Sequence, residues 1–152
     1  MALDEDITAL RKAAFFATFD EDALRLIAFG STRLSFVNGA EIFREGQPSD
    51  GGYVVLDGSV RLHTASKNGT TQSHIAGPGQ LIGELALITQ NFRLSDAYAA
   101  EDSVLLKIRR EPMLRVLEEY PHIAARIHNE LTSSISAIGK DLDAIYRRLP
   151  NQ

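Results

Sequence analysis

The chain has 152 residues, 16 Lys and Arg against 20 Asp and Glu, and no cysteine. This length corresponds to about one domain, which buries a sizeable core without a disulfide or a metal. The lack of cysteine excludes disulfides, thiolate zinc sites, iron–sulfur clusters and cysteine nucleophiles. The net charge of −4 argues against a nucleic-acid partner, which usually needs a basic face.

The first residues are acidic, Met-Ala-Leu-Asp-Glu-Asp, where a secretory signal would be basic. The apolar runs are only a few residues long, far short of the ~20 that span a bilayer. We therefore expect a cytoplasmic protein without a membrane segment.

Residues 1–30 have the apolar spacing of two helices. Asp4 or Asp6 is expected to cap the start of the first helix, because a short acidic side chain accepts hydrogen bonds from the first backbone N–H groups. The second helix is expected between Asp20 and Gly30.

Residues 31–109 change to short β-branched and aromatic segments, separated by glycine turns such as Asp57-Gly58. Eight strands are predicted, at Thr32–Phe36, Glu41–Arg44, Gly52–Leu56, Ser59–Thr64, Gln72–Ala76, Gln80–Ile82, Asp96–Ala100 and Ser103–Ile108. A series of short strands at this spacing is typical of a sandwich, a jelly roll or a barrel.

Residues 110–149 return to a helical period. A short helix is predicted over Glu111–Glu119, and a long one from Pro121 to about Arg148, since proline suits the first turn of a helix. The apolar positions of the long helix have the 4-3-4-3 spacing of a coiled-coil seam: Leu131, Ile135, Ile138, Leu142 and Ile145. The seam predicts a homodimer through this helix; packing on the chain's own barrel is the alternative.

The segment with the most chemistry runs over 83–88, Gly-Glu-Leu-Ala-Leu-Ile, where a strand becomes a helical turn. Outward backbone N–H groups of such a turn suit an anion, and Arg93, which follows, has the side chain best shaped for phosphate. Glu84 would repel phosphate but can accept a hydrogen bond from a sugar hydroxyl. This set suggests a phosphorylated sugar, with an ordinary Glu84–Arg93 salt bridge as the alternative.

Three longer segments carry a resemblance to a known family: Val37–Asp50 with glycine at both turns, Tyr53–Arg61 as the next hairpin, and Gly77–Leu87, with Arg93 ten residues after Gly83. In this order they resemble the cyclic nucleotide-binding domain of the catabolite activator family, the kinase regulatory subunits and the cyclic nucleotide-gated channels. The resemblance covers almost the whole chain.

The resemblance implies an α+β fold, in which an eight-stranded β-roll, a jelly-roll-like barrel, is flanked by N-terminal helices and a long C-terminal helix. It implies a single domain over residues 1–152. Within that domain, residues 1–30 would be the N-terminal helices, 31–109 the β-roll with a phosphate-binding cassette at 83–97, and 110–149 the lid and dimerisation helices.

The resemblance also assigns roles within the cassette. Glu84 matches the acid that binds the ribose 2′-hydroxyl, and Arg93 matches the residue that pairs with the cyclic phosphate. Backbone N–H groups around Leu85 and Ala86 match the turn that supports the same phosphate. The expected contacts for cAMP or cGMP are Gly83, Glu84, Leu85, Ala86, Arg93, Leu94, Ser95 and, as an apolar lid over the base, Ile138.

Two residues depart from the family pattern. The position after Arg93 is usually small and often carries a hydroxyl, and here it is Leu94. Asp96 adds a negative charge that, at ~6 Å and an effective dielectric of ~20, would repel an anionic ligand by roughly 3 kcal/mol, about a hundredfold in affinity. Strand alternation can equally point Asp96 away from the ligand.

No catalytic residue, metal site or cofactor is predicted; His63 and His74 lack the close His pair that a jelly-roll metal site needs. The predicted function is that of a cyclic nucleotide sensor that signals to an unknown protein by repositioning its C-terminal helix. Only Leu149–Gln152 follow that helix, so we expect no DNA-binding or catalytic domain. The alternative is a β-roll protein-interaction module with a degenerate nucleotide pocket.

Overall fold

The structure is a computed structural model that describes residues 2–65 and 71–130. It contains two compact units, one that ends at Val116 and one that begins at Leu117. The first unit carries the sheets and the candidate site. The predicted coiled-coil seam, Leu131, Ile135, Ile138, Leu142 and Ile145, lies outside the described residues.

Two helices open the chain, as predicted: α1 over Ala2–Lys12 and α2 over Glu21–Phe29, with a 3-10 turn at Ala14–Phe16 between them. Both helices are amphipathic, and their apolar sides supply much of the burial at this end. The largest fully buried side chains here are Leu10, Phe16, Phe19, Leu24 and Ile27.

The predicted cap of α1 is wrong. Because α1 already begins at Ala2, Asp4 and Asp6 lie inside the helix and cannot cap it. Asp6 instead points to the sheet, where its carboxylate accepts hydrogen bonds of 2.9 and 2.6 Å from Nε and Nη2 of Arg33. The bounds predicted for α2 are confirmed, with Asp20 directly before it and Gly30 directly after it.

Eight strands follow, and each lies within one residue of its predicted ends: β1 Thr32–Phe36, β2 Glu41–Phe43, β3 Gly51–Asp57, β4 Val60–Ala65, β5 Thr71–Ala76, β6 Leu81–Ile82, β7 Asp96–Ala99 and β8 Ser103–Arg109. They form two four-stranded antiparallel sheets, in the orders β1-β8-β3-β6 and β2-β7-β4-β5. The β-roll prediction is confirmed.

The inner faces of the two sheets build one apolar core. Its buried members are Phe43, Tyr53, Val55, Val60, Ala76, Ile82, Ala97 and Leu105. In β7, Ala97 and Ala99 are buried while Asp96 and Tyr98 alternate with them on the opposite face. This alternation decides which β7 side chains can reach the interior.

The last strand runs straight into α3, which spans Arg110–Glu119 and ends before Tyr120, as predicted. In the second unit the chain is helical again over residues 121–130, as far as the structure describes it. No helix within 2–65 and 71–130 combines the length and the apolar character needed to cross a membrane.

Candidate functional site

A cavity of about 250 Å³ opens beside the core, close to the lower end of the range for small-molecule sites. Its wall is mostly apolar and consists of Phe43, Leu62, Ile82, Gly83, Glu84, Leu85, Ala86, Asn91, Arg93, Leu94 and Ser95. Every predicted contact residue lies here except Ile138, which is outside the described residues. The cassette and the inner faces of β2, β4 and β6 therefore meet at one site.

Arg93 is placed by its backbone, which is joined to the loop between β2 and β3. Its N–H donates to the Gln47 carbonyl at 2.8 Å, and its own carbonyl accepts from the Gly46 N–H at 2.8 Å. The residue is only 7% exposed. The guanidinium carbon lies 4.3 Å from the centre of the Phe43 ring and 5.8 Å from that of Tyr53, which is cation–π geometry.

The charge of Arg93 is poorly compensated. Its nearest carboxylate is Asp50, at 4.0 Å from Nη2, and this carboxylate is exposed and closer to Lys107, at 3.1 Å. In the described part of the chain no acceptor lies within hydrogen-bonding distance of the guanidinium. Burial lowers the pKa of Arg93 because it disfavours the charged form; Tyr53 and Asp50 oppose this shift.

Glu84 does not balance that charge. No ion pair joins Glu84 to Arg93 among the described residues, so the alternative of a salt bridge between them is wrong. Glu84 is exposed at the rim of the cavity, directly before the 3-10 turn Leu85–Leu87. The acid and the arginine therefore face the same cavity without neutralising each other.

Gly83 allows the chain to pass close to Arg93. Its φ is +78°, and a Cβ atom built on it would lie 2.8 Å from Nη1 of Arg93. Both features require glycine, since other residues disfavour positive φ and would displace the guanidinium. The sequence predicted Gly83 as a contact residue but not the positive φ or the close approach to Arg93 that require glycine there.

The turn after Gly83 uses some of its backbone donors internally. The Ala86 N–H donates to the Gly83 carbonyl at 3.1 Å, and the Leu87 N–H to the Glu84 carbonyl at 3.1 Å. No acceptor for the Leu85 N–H is present in the described part of the chain. Of the two predicted backbone donors, Leu85 is therefore the one without an acceptor among residues 2–65 and 71–130.

Asp96 lies on the outer face of its sheet, opposite to the buried Ala97. Its Oδ1 atom accepts a hydrogen bond of 2.8 Å from the Glu45 N–H, and Asp96 is absent from the cavity wall. Asp96 therefore points away from the cavity, and its carboxylate stabilises the turn after β2. Leu94, by contrast, is on the wall and 75% exposed.

Sequence reasoning assigned no role to two charged residues near the cassette. Asp50 ends the first family segment and is the carboxylate nearest to Arg93. Arg110 donates from Nε to the Ala86 carbonyl at 2.9 Å and from Nη2 to the Ser49 carbonyl at 2.8 Å. No sequence pattern predicts the Arg110 contacts, because they join segments that are distant in the chain.

The described residues contain no group of three or more His, Asp or Glu side chains placed to hold a metal ion. The charged groups on the cavity wall are instead one cation, Arg93, and one carboxylate, Glu84, and the Leu85 N–H is a backbone donor beside them. Together with apolar walls, these groups suit an organic anion that also carries a hydroxyl group.

Comparison with known proteins identifies relatives of two kinds. The cyclic AMP receptor protein of Thermus thermophilus is 30% identical over 114 residues, which are 74% of this chain and 53% of that protein. Lysophospholipase NTE1 of Chaetomium globosum is 33% identical over 104 residues, 68% of this chain but 7% of that protein. The chain thus spans about half of the first relative and a small part of the second.

Among solved structures, a cyclic nucleotide-binding-like protein from Brucella abortus is 38% identical, with a TM-score of 0.65 over 76% of this chain and 99% of that one. Residues 33–120, more than half of the chain, match the sequence model described as Cyclic nucleotide-binding domain. These residues include the whole cassette and both sheets apart from Thr32, the first residue of β1. The chain therefore belongs to the cyclic nucleotide-binding domain family.

Proposed function

We propose that this chain binds a cyclic nucleoside monophosphate, cAMP or cGMP, at the cavity beside Arg93, and that it acts as a regulatory domain rather than as an enzyme. One observation carries the proposal. A buried guanidinium borders an apolar cavity, and no carboxylate of the described residues is within hydrogen-bonding distance of it. Burying a charge is costly unless it is paired and hydrogen-bonded, and among the described residues Arg93 has only the exposed Asp50 carboxylate, at 4.0 Å; we therefore infer that the site accepts an anion.

The charge of the site favours a cyclic phosphate. Arg93 supplies one positive charge, which matches the single negative charge of a phosphodiester. A linear nucleotide ends in a monoester that carries about −1.5 to −2 at neutral pH, and the exposed Glu84 carboxylate would repel the excess. The Arg93 guanidinium can hold two phosphate oxygens side by side, and the Leu85 N–H can donate to the same group.

Glu84 would then bind the ribose of the nucleotide. A carboxylate at the cavity rim accepts a hydrogen bond from a hydroxyl, and the ribose 2′-hydroxyl is attached to the ring that carries the cyclic phosphate. The name of the Thermus relative, a cyclic AMP receptor protein, supports this choice of ligand class. The lysophospholipase relatives match over a small part of their length, which agrees with a regulatory module.

The signal is proposed to leave through the chain after Pro121. Ligand binding would shift the helix that begins there between two positions, by no more than its difference in affinity for them. The coiled-coil seam would join two copies of the chain, and Ile138 would cover the base of the nucleotide. The shifted helix would then be recognised by a protein partner. Sedimentation tests this part: Ile138→Asp should convert a dimer to a monomer, and a wild-type monomer would contradict it.

Calorimetric titration with cAMP, cGMP and 5′-AMP tests the binding proposal. Wild type should bind a cyclic nucleotide more tightly than 5′-AMP. Arg93→Gln should weaken binding a hundredfold or more, since about two charge-assisted hydrogen bonds of ~1.5–3 kcal/mol each are lost. The control is Arg44→Gln, which removes an exposed guanidinium that pairs with Glu41 outside the cavity. No binding below millimolar, or wild-type affinity of Arg93→Gln, would contradict the proposal.

One observation favours a second candidate, a protein-interaction module with a degenerate pocket. Leu94, 75% exposed, stands where the family usually has a small or hydroxyl-bearing residue beside the phosphate. This candidate predicts that no cyclic nucleotide changes the melting temperature. A rise in melting temperature with nucleotide concentration would exclude it, because a ligand stabilises only a protein that it binds.

A further inference from the structure

Arg110 lies where β8 ends and α3 begins, and it contacts the 3-10 turn of the cassette and the loop before β3. Its backbone N–H donates to the Asp50 carbonyl at 2.8 Å. Its side chain donates from Nε to the Ala86 carbonyl at 2.9 Å, and from Nη2 to the carbonyl and the hydroxyl of Ser49 at 2.8 and 3.1 Å. One residue thus holds the 3-10 turn and the loop before β3 together.

Ser49 connects Arg110 to a second part of the cassette, the segment just before Arg93. It is 5% exposed, and both its N–H and its hydroxyl donate to the Asn91 carbonyl at 2.9 Å. The hydroxyl also contacts the Asn91 side-chain oxygen. Asn91 lies two residues before Arg93. The Arg110 guanidinium therefore contacts the 3-10 turn of the cassette directly, and it is linked to the segment before Arg93 through Ser49.

An arginine is a specific choice for this position. Its planar group presents donors to three acceptors in one fork, which a lysine ammonium cannot do with the same geometry. It also brings a second positive charge near Arg93, and together with burial this charge lowers the pKa of Arg93. The two like charges disfavour each other until an anion binds to Arg93.

We propose that Arg110 is a positioning residue that couples the occupancy of the cassette to the start of α3. The inference rests on the proposed function, since it takes a cyclic nucleotide as the ligand. When the phosphate fixes the turn and Arg93, the Ala86 carbonyl and Ser49 hold Arg110, and with it the first turn of α3. By linkage, an ordered start of α3 strengthens nucleotide binding by the same factor.

The test combines calorimetry with hydrogen exchange on wild type, Arg110→Lys and Arg109→Lys. Arg109 is the exposed neighbour on β8, so its variant is the matched control. Arg110→Lys keeps the positive charge and loses the planar guanidinium that donates to three acceptors. Without ligand it should exchange faster at residues 85–88. With cAMP it should bind about tenfold more weakly, as expected for one lost charge-assisted hydrogen bond. The nucleotide-induced protection at residues 110–116 should be lost.

Each outcome decides between the two ideas. If wild type binds no cyclic nucleotide, the proposed function fails and the coupling falls with it. If wild type binds and Arg110→Lys has wild-type affinity and wild-type protection at 110–116, the coupling is wrong and the proposed function stands. A purely structural role would lower the melting temperature and leave the nucleotide-induced protection unchanged, which also overturns the inference.

Ser49→Ala provides a second test should Arg110→Lys not fold. It removes the hydroxyl that accepts from Arg110 at 3.1 Å and donates to Asn91, and it retains the Ser49 carbonyl contact. The expected loss of affinity is smaller, about threefold, and the protection at 110–116 should fall in proportion. Unchanged affinity and protection in this variant would overturn the coupling.

Discussion

The two ends of the candidate site are built differently. At one end Arg93 is 7% exposed and lies on the Phe43 ring, and Gly83 passes beside it at a positive φ. At the other end Glu84 is exposed and Leu94 is 75% exposed. The core therefore preorganises the groups that would bind charge, while the groups at the rim are exposed to solvent. Changes at the buried end should affect stability and affinity together, and changes at the rim should affect affinity more than stability.

Among the variants that retain Arg93, Gly83→Ala should have the largest effect. A residue with a Cβ at φ +78° costs about 1–2 kcal/mol of folding free energy, and the Cβ would press on Arg93 Nη1 from 2.8 Å. Displacing the guanidinium should weaken binding of cAMP about a hundredfold, the worth of roughly one strong charge-assisted hydrogen bond. Denaturant unfolding and calorimetry measure the two effects.

Gly39→Ala is the matched control for that experiment. Gly39 also has a positive φ, +86°, but a Cβ there would meet nothing within 4 Å. The two variants should lose similar amounts of stability, and only Gly83→Ala should lose affinity. Equal, wild-type affinities in both variants would mean that the buried end does not hold the ligand.

Glu84→Gln should weaken binding of cAMP about tenfold. The amide oxygen still accepts a hydrogen bond, but the bond to a charged acceptor, worth about 1.5–3 kcal/mol, is reduced to a neutral one. Titration with 2′-deoxy-cAMP sharpens the test. Wild type should bind this analogue more weakly than cAMP, and Glu84→Gln should discriminate less between the two ligands than wild type does. Equal discrimination by both proteins would remove Glu84 from the sugar contact.

Leu94→Ser should raise the affinity about fivefold, since a hydroxyl donor beside the phosphate adds about one hydrogen bond of ~1 kcal/mol. The control is Val37→Ser, because Val37 is similarly exposed, at 71%, and is not on the cavity wall. It should leave affinity unchanged. A loss of affinity in Leu94→Ser would show instead that the leucine contributes an apolar contact to the ligand.

Local patterns predicted most of this fold. The eight strands follow from alternation and glycine turns, which are properties of neighbouring residues, and α3 follows from the proline after Tyr120. The wrong cap of α1 has a tertiary cause, because Asp6 is held by Arg33, 27 residues away in the chain. An acidic residue near a helix start looks the same in sequence whether it caps the helix or pairs with a distant arginine.

The candidate site divides in the same way. Gly83, Glu84 and Arg93 were predicted because the family motif is a run of neighbouring residues. The contacts of Arg110 with Ala86 and Ser49 join residues 24 and 61 positions apart, so no window of sequence reveals them. The sequence of β7 alone likewise does not show which face of the sheet each of its side chains occupies. The pairing of β7 with its neighbouring strands in the folded sheet decides this.

Asp96→Asn should have the smallest effect, and its outcome separates the outer face of β7 from the cavity. The Asp96 carboxylate accepts from the Glu45 N–H at 2.8 Å on the outer face. An amide oxygen keeps this hydrogen bond, so the variant should bind cAMP within twofold of wild type and lose less than about 1 kcal/mol of stability. Asp102→Asn is a close control, since Asp102 accepts from the Asn38 N–H at 2.8 Å in the same manner. Had Asp96 faced the ligand, removal of its charge would raise affinity about a hundredfold. A rise of tenfold or more in Asp96→Asn alone would therefore move this carboxylate into the site.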